Sequence, residues 1–134
     1  MTVRIATALL DRILAHAAET PDREVCGLLF GSDTTIEAAQ PAANVADTPE
    51  RTFEIDPRAL FAAIRAERHG GPPLVGHYHS HPSGDPTPSP RDAAAAEPGR
   101  LWLIVAGGRV AAYRAVAGGP IQHAFTPIQL TLLT

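Results

Sequence analysis

The chain has 134 residues, 45% of them hydrophobic and 19% charged, a usage that fits one globular domain and excludes both wholesale disorder and a coiled coil. Its formal charge of -3, from 14 acidic and 11 scattered basic residues, argues against nucleic acid as a partner, because such binding rests on clustered cations that neutralise phosphates. The longest apolar runs, such as residues 101–106, fall far short of the roughly 20 residues that cross a bilayer, so no membrane span is expected.

The opening Met1-Thr-Val-Arg-Ile lacks an apolar signal core and a small-residue cleavage site, and a cytoplasmic location is expected. Ile5, Leu9, Leu10, Ile13, Leu14 and Ala17 recur at three- and four-residue steps, which predicts a helix near residues 4–18 lying on a sheet. Cys26 is the only cysteine, so no intramolecular disulfide can form, in keeping with a reducing compartment. Val25 to Phe30 is short, apolar and closed by Gly31, and Thr34 to Ala39 follows a turn at Ser32 and Asp33. This predicts two strands, with Glu24 at the entry of the first. Residues 41–50, rich in Pro, Ala, Asn and Asp, read as a loop.

Asp56-Pro57 predicts a helix start, because the Asp side chain can accept orphan amide protons and proline fits the first turn. Leu60, Phe61 and Ile64 give that helix an apolar face, and Gly70-Gly71 ends it. Leu74 to His79 reads as a buried strand that Pro82 must stop. A proline-rich loop over 83–89 leads into a short alanine-rich helix opened by Ser89-Pro90-Arg91-Asp92 and terminated by Pro98-Gly99. Leu101 to Val105 and Val110 to Val116 flank Gly107-Gly108, a dipeptide suited to a tight hairpin, and residues 121–125 are expected to add one more strand.

The chemistry concentrates in the second half. His79 and His81 sit two apart, and on a strand such residues leave the backbone on the same side, so both imidazoles can meet one ion. Neutral imidazole is a strong zinc ligand, and a catalytic zinc site takes three protein ligands and leaves a fourth position open. Asp85 and Asp92 are the nearest downstream carboxylates, and spacing alone does not choose between them. Asp92 has the firmer platform in the first turn of a helix, yet Ser89 and Asp92 also have the spacing of a capping box. His77 would share the face of His79 and His81 on a regular strand, which keeps a three-histidine site in view; to reach the same ion as His81 it must span roughly 13 Å of backbone. Metal-activated water also needs a base, for which Glu24 is the candidate, although position alone favours a solvated acid before a strand. The chain has no His-Glu-x-x-His helix, no Pro-Cys-x-x-Cys pair and no Gly-x-Ser-x-Gly elbow.

His79-Ser-His-Pro, with Ser89 eight and Asp92 eleven residues after His81, resembles the signature of the JAMM, or MPN-plus, metalloproteases. Upstream, Glu24-Val-Cys-Gly-Leu-Leu-Phe-Gly is similar to the segment in which that family carries its catalytic glutamate, and the likeness is strongest to compact prokaryotic members. The resemblance implies a single α/β domain over residues 1–134, of the MPN type (cytidine-deaminase-like), with a mixed sheet flanked by about three helices. It implies His79, His81 and Asp92 as ligands of a zinc ion, Glu24 as general acid/base and Ser89 as hydrogen-bond donor to the oxyanion. It further implies cleavage of a peptide or isopeptide bond after the C-terminal Gly-Gly tail of a ubiquitin-like or sulfur-carrier protein, the tail lying along a strand edge near the metal. A histidine at position 77 departs from the large apolar or aromatic residue common there.

Two other readings compete. The segment from His81 to Ser89 also resembles RadC-like domains tied to DNA processes, but Ser80 stands where that group usually has asparagine. A non-catalytic MPN scaffold would show gaps among the ligands, and none is seen. All 11 basic residues are arginine, as a GC-rich genome produces, and as an enzyme acting on lysine-linked conjugates would also gain from.

Overall fold

A computed structural model describes residues 1–133. Its elements in chain order are β1 (Thr2–Ala6), α1 (Thr7–Glu19), β2 (Cys26–Gly31), β3 (Thr35–Ala42), α2 (Pro57–Arg68), β4 (Leu74–Ser80), α3 (Pro90–Ala95), β5 (Leu101–Ala106), β6 (Arg109–Ala115) and β7 (Phe125–Leu133). The fold is α/β, with three helices around a mixed sheet. Among the described residues, no helix is long and apolar enough to cross a membrane.

Two predicted elements differ from what folds. The helix expected from residue 4 starts at Thr7, because Val3 and Ile5 alternate with exposed Thr2 and Arg4 as strand residues do and fill the core as β1. The strand expected at 121–125 is a turn. Gln122 and His123 both have positive φ, 54° and 57°, a geometry that reverses the chain and cannot continue a ladder. The last strand starts at Phe125 and runs on to Leu133.

The strands follow the order β1-β3-β2-β4-β5-β6-β7, and β7 returns to pair in parallel with β1, so the sheet closes on itself. The periodicity of single segments could not reveal that closure. β1 meets β3 in parallel only at Arg4↔Thr35 and Ile5↔Ile36, and β4 is held antiparallel to β2 and parallel to β5. On one face, Leu9, Leu10 and Ile13 of α1 join Ile5, Leu29, Tyr78 and Leu103 in the main core. On the other, α2 covers Leu28, Phe30 and Leu74, while Trp102, Ile104, Tyr113 and Phe125 form a third cluster near α3. The Asp56 carboxylate accepts a hydrogen bond from Arg58 N at 3.0 Å and starts α2 as the sequence indicated.

The centre of the sheet sets the position of the site. β4 carries His77 and His79 on the face of Leu28, Trp102 and Ile104, their cross-strand partners, while Tyr78 points the other way and bonds His16 at 2.6 Å. Gly76 lets β4 and β5 approach, since a Cβ there would collide with the Leu101 carbonyl oxygen. Gly76→Ala is therefore expected to destabilise the fold by about 3 kcal/mol, the upper end of overpacking costs, because backbone rather than a rotatable side chain blocks the space. Urea denaturation would register this as a lowered midpoint at unchanged slope, and an unmoved midpoint would refute the close packing.

Candidate metal centre

Three segments converge at the C-terminal end of β4. The β2–β4 register pairs Cys26 with His79, and continuing it two residues on each segment brings Glu24 level with His81. Ser80 secures this junction, its Oγ accepting from Val25 N at 2.9 Å. Glu24 is tied from the other side, where its N–H donates to Pro49 O at 2.7 Å and its carbonyl accepts from Asn44 Nδ2 at 2.8 Å. Asn44 also accepts from Glu54 N and donates to Thr52 O, which folds residues 44–55 over the cluster and lays Phe53 flat on the His79 ring, with centroids 4.2 Å apart.

The third segment is the N-terminus of α3. Ser89 Oγ accepts from Asp92 N at 3.0 Å, and Asp92 Oδ2 accepts from Ser89 N at 2.9 Å, a complete capping box. Asp92 serves the imidazoles as well, with Oδ1 3.3 Å from His79 Nε2 and Oδ2 3.1 Å from His81 Nε2. The capping reading and the cluster reading thus hold together. Asp85, the other carboxylate considered, contributes through its backbone: its carbonyl takes a 2.8 Å hydrogen bond from His81 Nδ1, while its side chain accepts from Thr87 N. With the proton on Nδ1, the Nε2 lone pair of His81 faces the cluster.

The geometry suits a divalent cation. His79 Nε2 and His81 Nε2 are 3.0 Å apart. A tetrahedral ion with bonds of about 2.1 Å sets its ligand atoms roughly 3.4 Å apart, close to all three separations among His79, His81 and Asp92. Glu24 also faces the pair, offering a carboxylate oxygen within 4.8 Å of both imidazoles, and its Oε1 is buried without a hydrogen-bond partner among the described residues. A buried carboxylate oxygen left unpaired is costly unless a cation or a polar ligand approaches it. His77 stands apart, its ring 6.4 Å from that of His79 and packed on Trp102 at 4.3 Å.

The electrostatics point the same way. Burial pushes the Glu24 carboxyl up to about 7, against the pull of the His81 charge, and the Asp92 carboxylate adds to the rise. Burial also depresses the His79 imidazole. For His81, burial is outweighed by the bonds to Asp92 and to the Asp85 carbonyl, and its pKa is raised. For Asp92, burial is outweighed by His79 and His81, and its pKa is held far below the usual carboxylate range. In the absence of an ion the cluster thus holds protons on Glu24 and His81, where a divalent cation would supply the positive charge instead.

Sequence reasoning missed Phe53, Asn44 and the Asp85 carbonyl. No motif marks them, since each acts through a contact between segments distant in the chain or through its backbone.

The family model described as prokaryotic homologs of the JAB domain matches residues 6–117. A desampylase from Haloferax volcanii is 43% identical over 107 residues, which are 75% of this chain and 77% of that protein. A probable TtuB-protein conjugate cleaving protease from Thermus thermophilus is 35% identical over 69% of this chain, and the match spans 62% of that protein, less than two thirds of its length. Among solved structures, a protein from Desulfitobacterium hafniense superposes with a TM-score of 0.78 at 25% identity, covering 99% of this chain and 93% of that one. A JAB1/MPN domain protein from Archaeoglobus fulgidus superposes with a TM-score of 0.63 at 20% identity, covering 98% and 97%.

Metal binding should depend on pH with a definite sign. A cation held by His81 requires that imidazole without its proton and favours Glu24 ionised beside it, and the metal-free protein holds protons on both at higher pH than the free side chains would. Binding is therefore expected to release protons, with apparent affinity climbing as pH rises through about 7 and levelling off above. Calorimetric titration with a divalent cation in buffers of different ionisation enthalpy measures the released protons. A flat affinity with no proton release would contradict the assignment.

Proposed function

This chain belongs to the family of prokaryotic JAB-domain proteins, and from that membership we propose that it is a metal-dependent isopeptidase acting on conjugates of ubiquitin-like or sulfur-carrier proteins. The observation that carries the reading is the convergence of His79, His81 and Asp92 at ligand spacing with the unpaired Glu24 carboxylate beside them. Zinc is the proposed ion, since two imidazoles and a carboxylate suit it, and it would supply Lewis-acid activation of water and of the scissile carbonyl. His79 and His81 would hold it through Nε2 and Asp92 through its carboxylate, with Glu24 beside them. A cytoplasmic location and one domain over residues 1–134 belong to the same proposal.

Glu24 is the proton carrier. Its carboxylate takes a proton from the attacking water and hands it to the departing amine, a cycle that needs a group able to exist in both forms near neutral pH. Burial provides such a group here. Ser89 Oγ already accepts from Asp92 N, so its hydroxyl hydrogen is free to donate to the oxyanion that forms as water adds to the carbonyl. The cleft is lined by Glu24, Glu50, Arg51, His81, Ser89 and Gln122, among others, and its cavity of about 510 Å³ is large enough for an extended peptide segment.

Placement of the tail differs from the simple expectation of strand addition at a sheet edge. β2, β4 and β5 are paired on both sides, so the sheet beside the metal centre has no free edge. Outside the ring, the segment around Phe53 is bridged at Asn44↔Ile55 and stacks on His79. The Gly-Gly tail of the substrate is proposed to lie along that segment.

A fusion of a ubiquitin-like protein through a Gly-Gly junction tests the mechanism. Wild-type protein is expected to cleave it, a chelator to stop it and added zinc to restore it. Glu24→Gln should lower kcat by about 10²- to 10⁴-fold while the metal stays bound, and cleavage persisting under chelation or in Glu24→Gln would falsify the assignment. Ser89→Ala should also slow turnover, by about 10²-fold for the lost oxyanion donor, and lower stability by about 1 kcal/mol for the lost cap. Thermal unfolding and kcat measured on the same preparation separate the two effects.

A further inference from the structure

His81 lies one residue beyond the end of β4, so the strand ladder does not by itself orient its ring. Its main chain is held, with the N–H donating to Val105 O at 2.8 Å. The ring is then turned by two contacts on opposite nitrogens, Nε2 toward Asp92 and Nδ1 donating to the Asp85 carbonyl at 2.8 Å. Fixing that carbonyl fixes the direction in which Nε2 points.

The carbonyl belongs to a loop with few means of holding its own place. Pro82, Pro86 and Pro88 bring no N–H to residues 82–88, and Pro82, Ser83, Asp85 and Thr87 are exposed. Gly84 N donates to His81 O at 3.1 Å, Asp85 N to Ser83 Oγ at 3.3 Å and Thr87 N to Asp85 Oδ1 at 2.9 Å, bonds that shape the loop without tying it to the sheet. Among the described residues, the hydrogen bond that joins residues 82–88 to a strand comes from Tyr113 of β6, whose hydroxyl donates to Pro86 O at 3.0 Å. Tyr113 is a firm anchor. It is buried, sits opposite Trp102 of β5 and Pro127 of β7, and packs on Phe125 with ring centroids 6.2 Å apart. Burial and the Asp85 charge push its phenol up, so it keeps the proton that it donates.

The Pro86 and Asp85 carbonyls are coupled covalently. Only the φ and ψ of Pro86 separate them, and the pyrrolidine ring fixes φ at about −65°. We infer that Tyr113 is a positioning residue for the metal centre: by holding the Pro86 carbonyl it sets the Asp85 carbonyl, which turns His81 so that Nε2 stands beside His79 and Asp92. This rests on the metal-centre reading and adds a residue, on a strand that carries none of the ligands, that governs how tightly the ion is held. The same loop ends at Ser89, the cap of the helix bearing Asp92, so the tether lies between two ligand-bearing segments.

Tyr113→Phe removes the hydroxyl and keeps the ring in its packing. In the metal-free protein, nitrogen-15 NMR of the His81 ring should show a resolved, slowly exchanging Nδ1–H in the wild type that broadens or disappears in the variant. Zinc affinity, read by competition with a chelator, should fall about tenfold, the lower end for groups that orient a metal ligand from outside. The melting temperature of the metal-free protein should change little. Pro86→Ala, which loosens the link between the two carbonyls, should weaken zinc binding too, and combining both substitutions should cost less than the product of the single effects. A variant whose ring signal and zinc affinity match the wild type overturns the positioning role and leaves the metal centre intact, as does a lowered melting temperature with both of these unchanged. Single effects that multiply in the double variant overturn the relay through Pro86. A folded wild-type protein that binds no zinc overturns the metal-centre reading and this inference together.

Discussion

The site depends on one carboxylate that answers to two structures at once. Asp92 closes the capping box of a six-residue helix and, through the same side chain, approaches both imidazole nitrogens. A helix that short has little stability of its own, because nucleation fixes several dihedrals before hydrogen bonds compensate. Its N-terminus is held where the Asp92–histidine contacts need it, and those contacts in turn fix where the helix begins. Orientation comes cheaply in such an arrangement, since the capping bonds hold the carboxylate before any ion arrives.

A second constraint is the pairing of β2 with β4, which brings an acid from the first quarter of the chain beside histidines some 55 residues later. Ser80 and Asn44 hold that junction by bonding the N–H and the carbonyl of the peptide group that joins Glu24 to Val25. The acid is thereby buried without a partner for one oxygen, the condition that raises its proton affinity into the neutral range. Structural expense and chemical usefulness coincide at Glu24, as they do wherever a fold holds a group in a poorly solvated setting for function.

Much of this was legible from the chain itself. The His79-x-His81 spacing requires only that the segment be a strand, and the Asp56-Pro57 start of α2 follows from local capping chemistry; both are properties of adjacent residues. The choice of Asp92 over Asp85 was not settled by spacing and needed the family pattern, because either carboxylate lies within reach of a flexible loop. Ile5 misled for a physical reason: it satisfies the helical stripe of Leu9 and Ile13 and also the alternation with Val3, and only the pairing of β1 with β7 decides between them. Phe53 and the closure of the sheet were invisible, since each depends on which distant segments become neighbours. No local period encodes that.

The closed sheet has a consequence for behaviour in concentrated solution. Exposed strand edges are the usual templates for intermolecular β-pairing, and a ring removes most of them. One that remains is the outer side of β3 beyond its short contact with β1, from Glu37 to Ala42. There Pro41 has no amide hydrogen to offer, and Glu37 places a charge on the same stretch. This open margin is thus poorly suited to recruiting a neighbour, and self-association through it into fibrous aggregates is discouraged by the backbone itself.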